Sequence, residues 1–189
     1  MSGNLAEDRS RLWTYGEYLA WDSDQRWELI HGRAYLMAQP SPEHQRINKL
    51  LIKEMDRYFE NKPCEAYLPL DVRLFPKDDN SDYVNVQPDI SVICNPEQLD
   101  ERGCRGAPTL VVEIISPSTA SRDYTDKMEL YRDSGVQEYW IVDPFGRIVN
   151  VYLLQARHEK RKSYNIDDIL TSKTFPGLDI PLSDIFPNE

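Results

Sequence analysis

Apolar residues fall in blocks whose spacing changes along the chain, and each change predicts an element. Thr14-Tyr15-Gly16-Glu17 has the spacing of a capping box, with Tyr18, Leu19 and Trp21 behind it, which predicts a short helix. The stretch from Arg26 to Met37 reads as a hairpin turning at His31-Gly32, because glycine tolerates positive φ. Ser41-Pro42 then supplies an N-cap with proline at the first helical position. Ile47, Leu50, Leu51, Met55, Tyr58 and Phe59 follow at three- and four-residue steps. That periodicity predicts an amphipathic helix ending near Asn61 to Pro63.

The period then shortens toward strands. Glu65 to Phe75 and Val86 to Ile93 are strand candidates, separated by the polar, acidic loop Pro76 to Asp82. Asn95 to Pro108 is a glycine- and proline-punctuated loop, and Thr109 to Ile115 is a continuous apolar strand with one carboxylate in it. Asp123 to Ser134 reads as a helix closed by Gly135. Glu138 to Val142 and Ile148 to Leu154 are strands joined by the turn sequence Asp143-Pro144-Phe145-Gly146. The order describes an α/β (α+β) domain with a mixed sheet. The tail from Phe175 to Phe186 carries apolar residues among prolines and is expected to pack back on the domain.

Length and charge narrow the picture. The chain has 189 residues, which fits one domain over 1–189, with a flexible arm at 1–12, a core over about 14–154 and an extension over 155–189. No apolar run approaches the roughly 20 residues that cross a bilayer, and the polar, acidic N-terminus is no secretory signal. Cys64, Cys94 and Cys104 are odd in number and widely spaced, so they read as reduced thiols of a cytoplasmic protein. Twenty-two basic against 32 acidic side chains leave a net charge of −10, which excludes binding duplex DNA by overall charge. Action on nucleic acid then requires a local basic patch, bound cations or both.

The chemistry lies in two strand-embedded acids. Glu113 interrupts Leu110-Val111-Val112-Glu113-Ile114-Ile115, where an ionised carboxylate is costly without a cation or donors. Asp89 follows Pro88 at an edge, bulge or strand start. If the two strands are neighbours, the two acids and a backbone carbonyl form a hard-oxygen site suited to Mg²⁺ or Mn²⁺.

Pro88-Asp89 followed by Glu113-Ile114-Ile115 resembles the core of the PD-(D/E)XK nuclease superfamily. More specifically, the run from Pro108 to Lys127, the run from Leu130 to Pro144, and the pieces Trp27 to Gly32 and Ser41 to His44 are similar to the Uma-type restriction-endonuclease family. This resemblance implies a restriction-endonuclease-like mixed sheet flanked by helices, and a metal-dependent endonuclease acting on DNA. It implies Asp89, Glu113 and the Ile114 carbonyl as metal ligands. Ile115 stands where the superfamily usually carries lysine, and the resemblance moves that role to Lys127. It adds Glu28 and His44 near the cleft, His44 in a first helical turn that favours anions. A homodimer would present two such sites to two strands.

Each residue also has a plainer role open to it. Asp89 can cap a turn, Glu113 can pair with an arginine, and Lys127 can pair with Asp123 four residues back. Glu28 can pair with Arg26 or Arg33. Ser116, Ser118, Thr119 and Ser121 suit capping as well as phosphate contact. The basic run Arg157 to Lys162 is either a solvated loop tip or a backbone-tracking patch. Tyr139 and Trp140 read as core residues. The whole then describes a nuclease-fold protein that binds a partner without chemistry.

Overall fold

The structure, a computed structural model, describes residues 11–22, 24–117, 119–156 and 160–186. Residues 1–10 of the expected 1–12 arm, Ser118 and the first three residues of the basic run lie outside the described residues.

Helix α1 (Tyr15–Tyr18) starts with both bonds of the capping box between Thr14 and Glu17. Strands β1 (Trp27–Ile30) and β2 (Arg33–Leu36) form the hairpin, with His31 at φ 50° and Gly32 at φ 77° in its turn. Helix α2 (Pro42–Phe59) begins at Ser41, whose hydroxyl accepts the His44 N–H, and buries Ile47, Leu51, Met55 and Phe59. The strand expected over Glu65 to Phe75 is two pieces, β3 (Glu65–Tyr67) and β4 (Val72–Arg73). Pro69 lies between them and cannot donate to a ladder. Pro88 likewise delays the next strand, so β5 spans only Ile90–Ile93. The loop expected at 95–108 holds a short 3₁₀ turn and a small hairpin of β6 (Leu99–Asp100) and β7 (Gly103–Arg105), on which β4 adds in parallel.

Next come β8 (Leu110–Ile114), α3 (Ala120–Tyr124), α4 (Asp126–Ser134), β9 (Glu138–Asp143), β10 (Ile148–Leu153) and β11 (Lys160–Asn165). The single helix expected over Asp123 to Ser134 is broken at Thr125 (φ −118°, ψ −83°), while Gly135 closes it in the left-handed region as expected. The basic run enters β11 and is no loop tip there. The chain ends with β12 (Ile169–Thr171), β13 (Asp179–Pro181) and α5 (Leu182–Ile185).

The central sheet has six strands in the order β11-β10-β9-β8-β5-β3. All neighbours are antiparallel except β8 and β9, whose parallel pairing is made by the α3–α4 crossover. Alternation along β8 sends Leu110, Val112 and Ile114 to one face, under α2, and Val111 and Ile115 to the other, under α4. The tail packs as expected: Phe175, Leu178, Ile180, Leu182, Ile185 and Phe186 complete the α2-side core. The buried Glu138 carboxylate ties that tail down, accepting from Trp140 Nε1, the Ser172 hydroxyl and the N–H groups of Lys173 and Thr174.

The reading of Cys64 and Cys94 as free thiols is corrected. They sit opposite each other just beyond the Glu65–Ile93 pair of β3 and β5 and form a disulfide. Sequence spacing did not show it because strand register, not chain distance, brings them together. Cys104 is free and buried, and burial pushes its thiol up to about 11. Closing a loop of 30 residues stabilises the fold by about 3–4 kcal/mol in the chain-entropy view. Urea unfolding of Cys64→Ser/Cys94→Ser is therefore expected to show a loss near 3 kcal/mol against the unreduced protein. Native iodoacetamide labelling at about pH 8, read by mass spectrometry, is expected to leave Cys104 unmodified.

Candidate active site

The carboxyl ends of the parallel strands β8 and β9 open onto a cavity of about 590 Å³, the place where ligands bind on such sheets. Its walls include Glu28 from β1, His44 from α2, Asp89 before β5, Glu113 from β8, and Asp123 and Lys127 from the crossover. The residues expected from sequence as site candidates therefore share one cleft.

Glu113 projects to the α4 side of the sheet. There Lys127 Nζ donates to Glu113 Oε1 at 2.8 Å, and the Tyr131 hydroxyl donates to the same oxygen at 2.6 Å. Lys127 and Tyr131 reach it together because an i, i+4 spacing sets them on one helix face. The break at Thr125 separates α4 from α3, and Lys127 stands in the first turn of α4. Lys127 Nζ also lies 2.8 Å from Glu28 Oε1 and 3.7 Å from Asp123 Oδ1. All four side chains are at most 6% exposed. Glu28 is fixed in turn by accepting the Gln87 N–H.

Asp89 is held from the other layer. Its Oδ2 accepts the Ile114 N–H at 2.7 Å and lies 3.1 Å from His44 Nε2. The Asn48 amide donates to the Asp89 carbonyl at 3.5 Å. His44 Nδ1 and Asn48 Oδ1, both beside Asp89, are buried without a protein partner.

The plainer alternatives resolve unevenly. Lys127 does approach Asp123, but its short contacts are to Glu113 and Glu28, and Glu113 pairs with this lysine and no arginine. Glu28 pairs with Lys127 instead of Arg26 or Arg33. The Thr119 hydroxyl accepts the Ser116 N–H. Tyr139 and Trp140 are fully buried. Tyr131 was missed as a site residue; its signal was the four-residue step from Lys127.

Charge sets the chemistry. Burial pushes the Glu113 carboxyl well above its ordinary range, and the charges of Asp123, Asp89 and Glu28 push the same way against Lys127. Burial raises Asp123 as well. For Lys127, burial works against the ammonium, yet Glu113, Glu28 and Asp123 together outweigh it and hold the amine charged. Burial opposes His44 protonation too, and its bond to Asp89 prevails, so its pKa rises. An ion contact of 2.8 Å is worth on the order of 6 kcal/mol at an effective dielectric near 20, against several kcal/mol of desolvation for each ion.

The fold is nuclease-like. Residues 15–183 match Uma2, described as "Putative restriction endonuclease", and the chain belongs to that family. An uncharacterized protein of Synechocystis sp. is 31% identical over 147 residues, covering 72% of this chain and 71% of its own. A second from the same organism is 26% identical over 141 residues, covering 72% and 77%. The crystal structure of "a putative nuclease belonging to DUF820" from Anabaena variabilis superposes with a TM-score of 0.74 at 22% identity, over 92% of this chain and 97% of that one. At that identity the likeness concerns the fold. Among the described residues no helix is long and apolar enough to cross a membrane.

Removing one member of a buried ion cluster strands the others, which costs about 3–5 kcal/mol. Lys127→Met is expected to lose stability in that range by chemical denaturation. Tyr131→Phe, which removes one donor, is expected to lose about 1–2 kcal/mol.

Proposed function

We propose that this cleft hydrolyses phosphodiester bonds in DNA with a divalent cation, Mg²⁺ or Mn²⁺, held by Asp89, Glu113 and the Ile114 carbonyl. The observation that carries the reading is unbalanced charge. Three buried carboxylates face one ammonium, and Asp89 adds a fourth acid on the same cavity. Such a surplus is costly in a protein interior, and oxygen donors of this kind suit a hard cation.

The donor types suit the ion. Among the described residues no three His, Cys, Asp or Glu side chains are grouped to hold a metal. A Mg²⁺ site, however, needs only one or two carboxylates, since the ion keeps several of its waters. The unpartnered His44 Nδ1 and Asn48 Oδ1 beside Asp89 provide polar surroundings for such waters. When bound, the ion polarises the scissile phosphate and lowers the pKa of a bound water.

The chain's own residues do the positioning. The Ile114 N–H and His44 fix the Asp89 carboxylate, and Tyr131 fixes Glu113. With Glu113 engaged by a cation, Lys127 would still have Glu28 as a partner, which would keep its ammonium at the cleft. From there it orients the attacking water or offsets charge building on the phosphate. Ile115 leaves this work to Lys127, which reaches the cleft from a helix.

Supercoiled plasmid nicking with Mg²⁺ or Mn²⁺ tests the reading. Nicking is expected to vanish with EDTA and to fall about 10²–10³-fold in Asp89→Asn and Glu113→Gln. Lys127→Met is destabilising, so the two carboxylate variants carry the test. Undiminished nicking in Glu113→Gln, or equal Mn²⁺ affinity of that variant and the wild type by calorimetry, would overturn it.

A further inference from the structure

Phe145 is the most exposed of the large apolar side chains among the described residues, at 73%. It lies in the turn between β9 and β10 and lines the same cavity as Asp89, Glu113 and Lys127. Leu36, 49% exposed at the end of β2, lines that cavity too. Scattered exposed apolar residues are ordinary; two lining one cleft form a feature of that cleft.

The turn holds Phe145 in place. Asp143 Oδ1 accepts both the Phe145 N–H at 2.9 Å and the Gly146 N–H at 3.0 Å. A Cβ at residue 146 would stand 2.8 Å from Asp143 Oδ2, so glycine lets this carboxylate seat the turn closely. The aromatic ring is thus presented to solvent from a built support.

The charge on the cleft argues against a duplex. Five acids line it, Glu28, Glu43, Asp89, Glu113 and Asp123, against Arg26, Arg122 and Lys127. Lys127 is already shared among three of those acids. Arg122 lies with its guanidinium carbon 4.0 Å from the Tyr35 ring centroid, a stack that uses its face and keeps its N–H edge for a phosphate. Two arginines fall well short of the roughly 6–10 phosphate contacts over which duplex binders spread their affinity. A cavity of 590 Å³ is in the range of pockets for one small ligand.

The geometry points to unpaired DNA as the substrate: a single strand or frayed end enters the cleft with a base stacked on Phe145 and a neighbouring phosphate at Arg122. This combination of an aromatic platform with a few cations is how single strands are held. The inference rests on reading the cleft as a nucleic-acid site. An unpaired strand needs one cleft, whereas the homodimer implied for cutting a duplex brings two.

Fluorescence anisotropy with a single strand of about 12 nucleotides and the blunt duplex of the same sequence, in Ca²⁺, tests it. The single strand is expected to bind at least tenfold more tightly. Phe145→Ala should weaken it roughly 5- to 150-fold, the range for one base stack. Phe145→Trp should restore binding, and thermal melts should show both variants folded. Equal or tighter duplex binding, no binding of either, or a single-strand affinity unchanged in Phe145→Ala overturns the inference. Mn²⁺-dependent cleavage of the same single strand and duplex, read on a gel, tests the hydrolytic proposal separately. Hydrolysis with no strand preference defeats this inference alone, and strand preference without hydrolysis defeats the hydrolytic reading alone.

Discussion

One ammonium, Lys127 Nζ, surrounded by three buried carboxylates, is the constraint on which the rest depends. Glu28 comes from the first hairpin, Glu113 from the central sheet, and Asp123 and Lys127 from the crossover, so the cluster joins segments far apart in the chain. It crosslinks the fold at the point where the parallel strands end. Stability alone does not account for it. Apolar residues of similar volume in place of a buried ion cluster are often neutral or stabilising. The cluster carries more acid than base beside a cavity, and the proposed cation site rests on that imbalance.

The scaffold holds this arrangement from both faces of the sheet. Asp89 is approached by His44 on the α2 side, while Glu113 is approached by Lys127 and Tyr131 on the α4 side. The Ile114 N–H joins the two, because the strand that carries Glu113 also donates to Asp89. Glu138 plays the comparable part at the far end of the sheet, where its four donors hold the tail against the core. One carboxylate is saturated with donors and serves structure. The others are short of cations and face a cavity.

Much of this was legible in the chain because it was written locally. The capping box at Thr14, the His31-Gly32 turn, the stripe of α2 and Gly135 as a stop are short-range signals with short-range causes. Glu113 stood out because a lone acid in an apolar strand needs a partner. What was hidden depends on register and on breaks. The Cys64–Cys94 pairing follows from how β3 aligns with β5. The α3–α4 break at Thr125 has no proline or glycine to announce it. The pairing of Glu28 with Lys127 joins two segments far apart in the chain, and no local pattern carries that information. Family resemblance placed Glu28, His44 and Lys127 near one another, and the coordinates supply which contacts they make.

Nucleic acid as the proposed partner of an acidic chain is less paradoxical when charge is treated locally. At physiological salt, exposed charges more than about 8 Å apart are largely screened, so the net −10 spread over the surface does not decide what happens inside a cleft. There the balance is set by groups within hydrogen-bonding range, and a divalent cation would reverse it far more than any remote lysine. The surface charge has a different consequence. It suppresses the sequence-independent hold on duplex phosphates that basic proteins have. On the readings proposed above, affinity arises at the cleft itself, from a cation held by acids, an arginine braced on tyrosine and an aromatic ring left in water. On that reading the site discriminates by what can enter it, because the remote surface charge is largely screened from it.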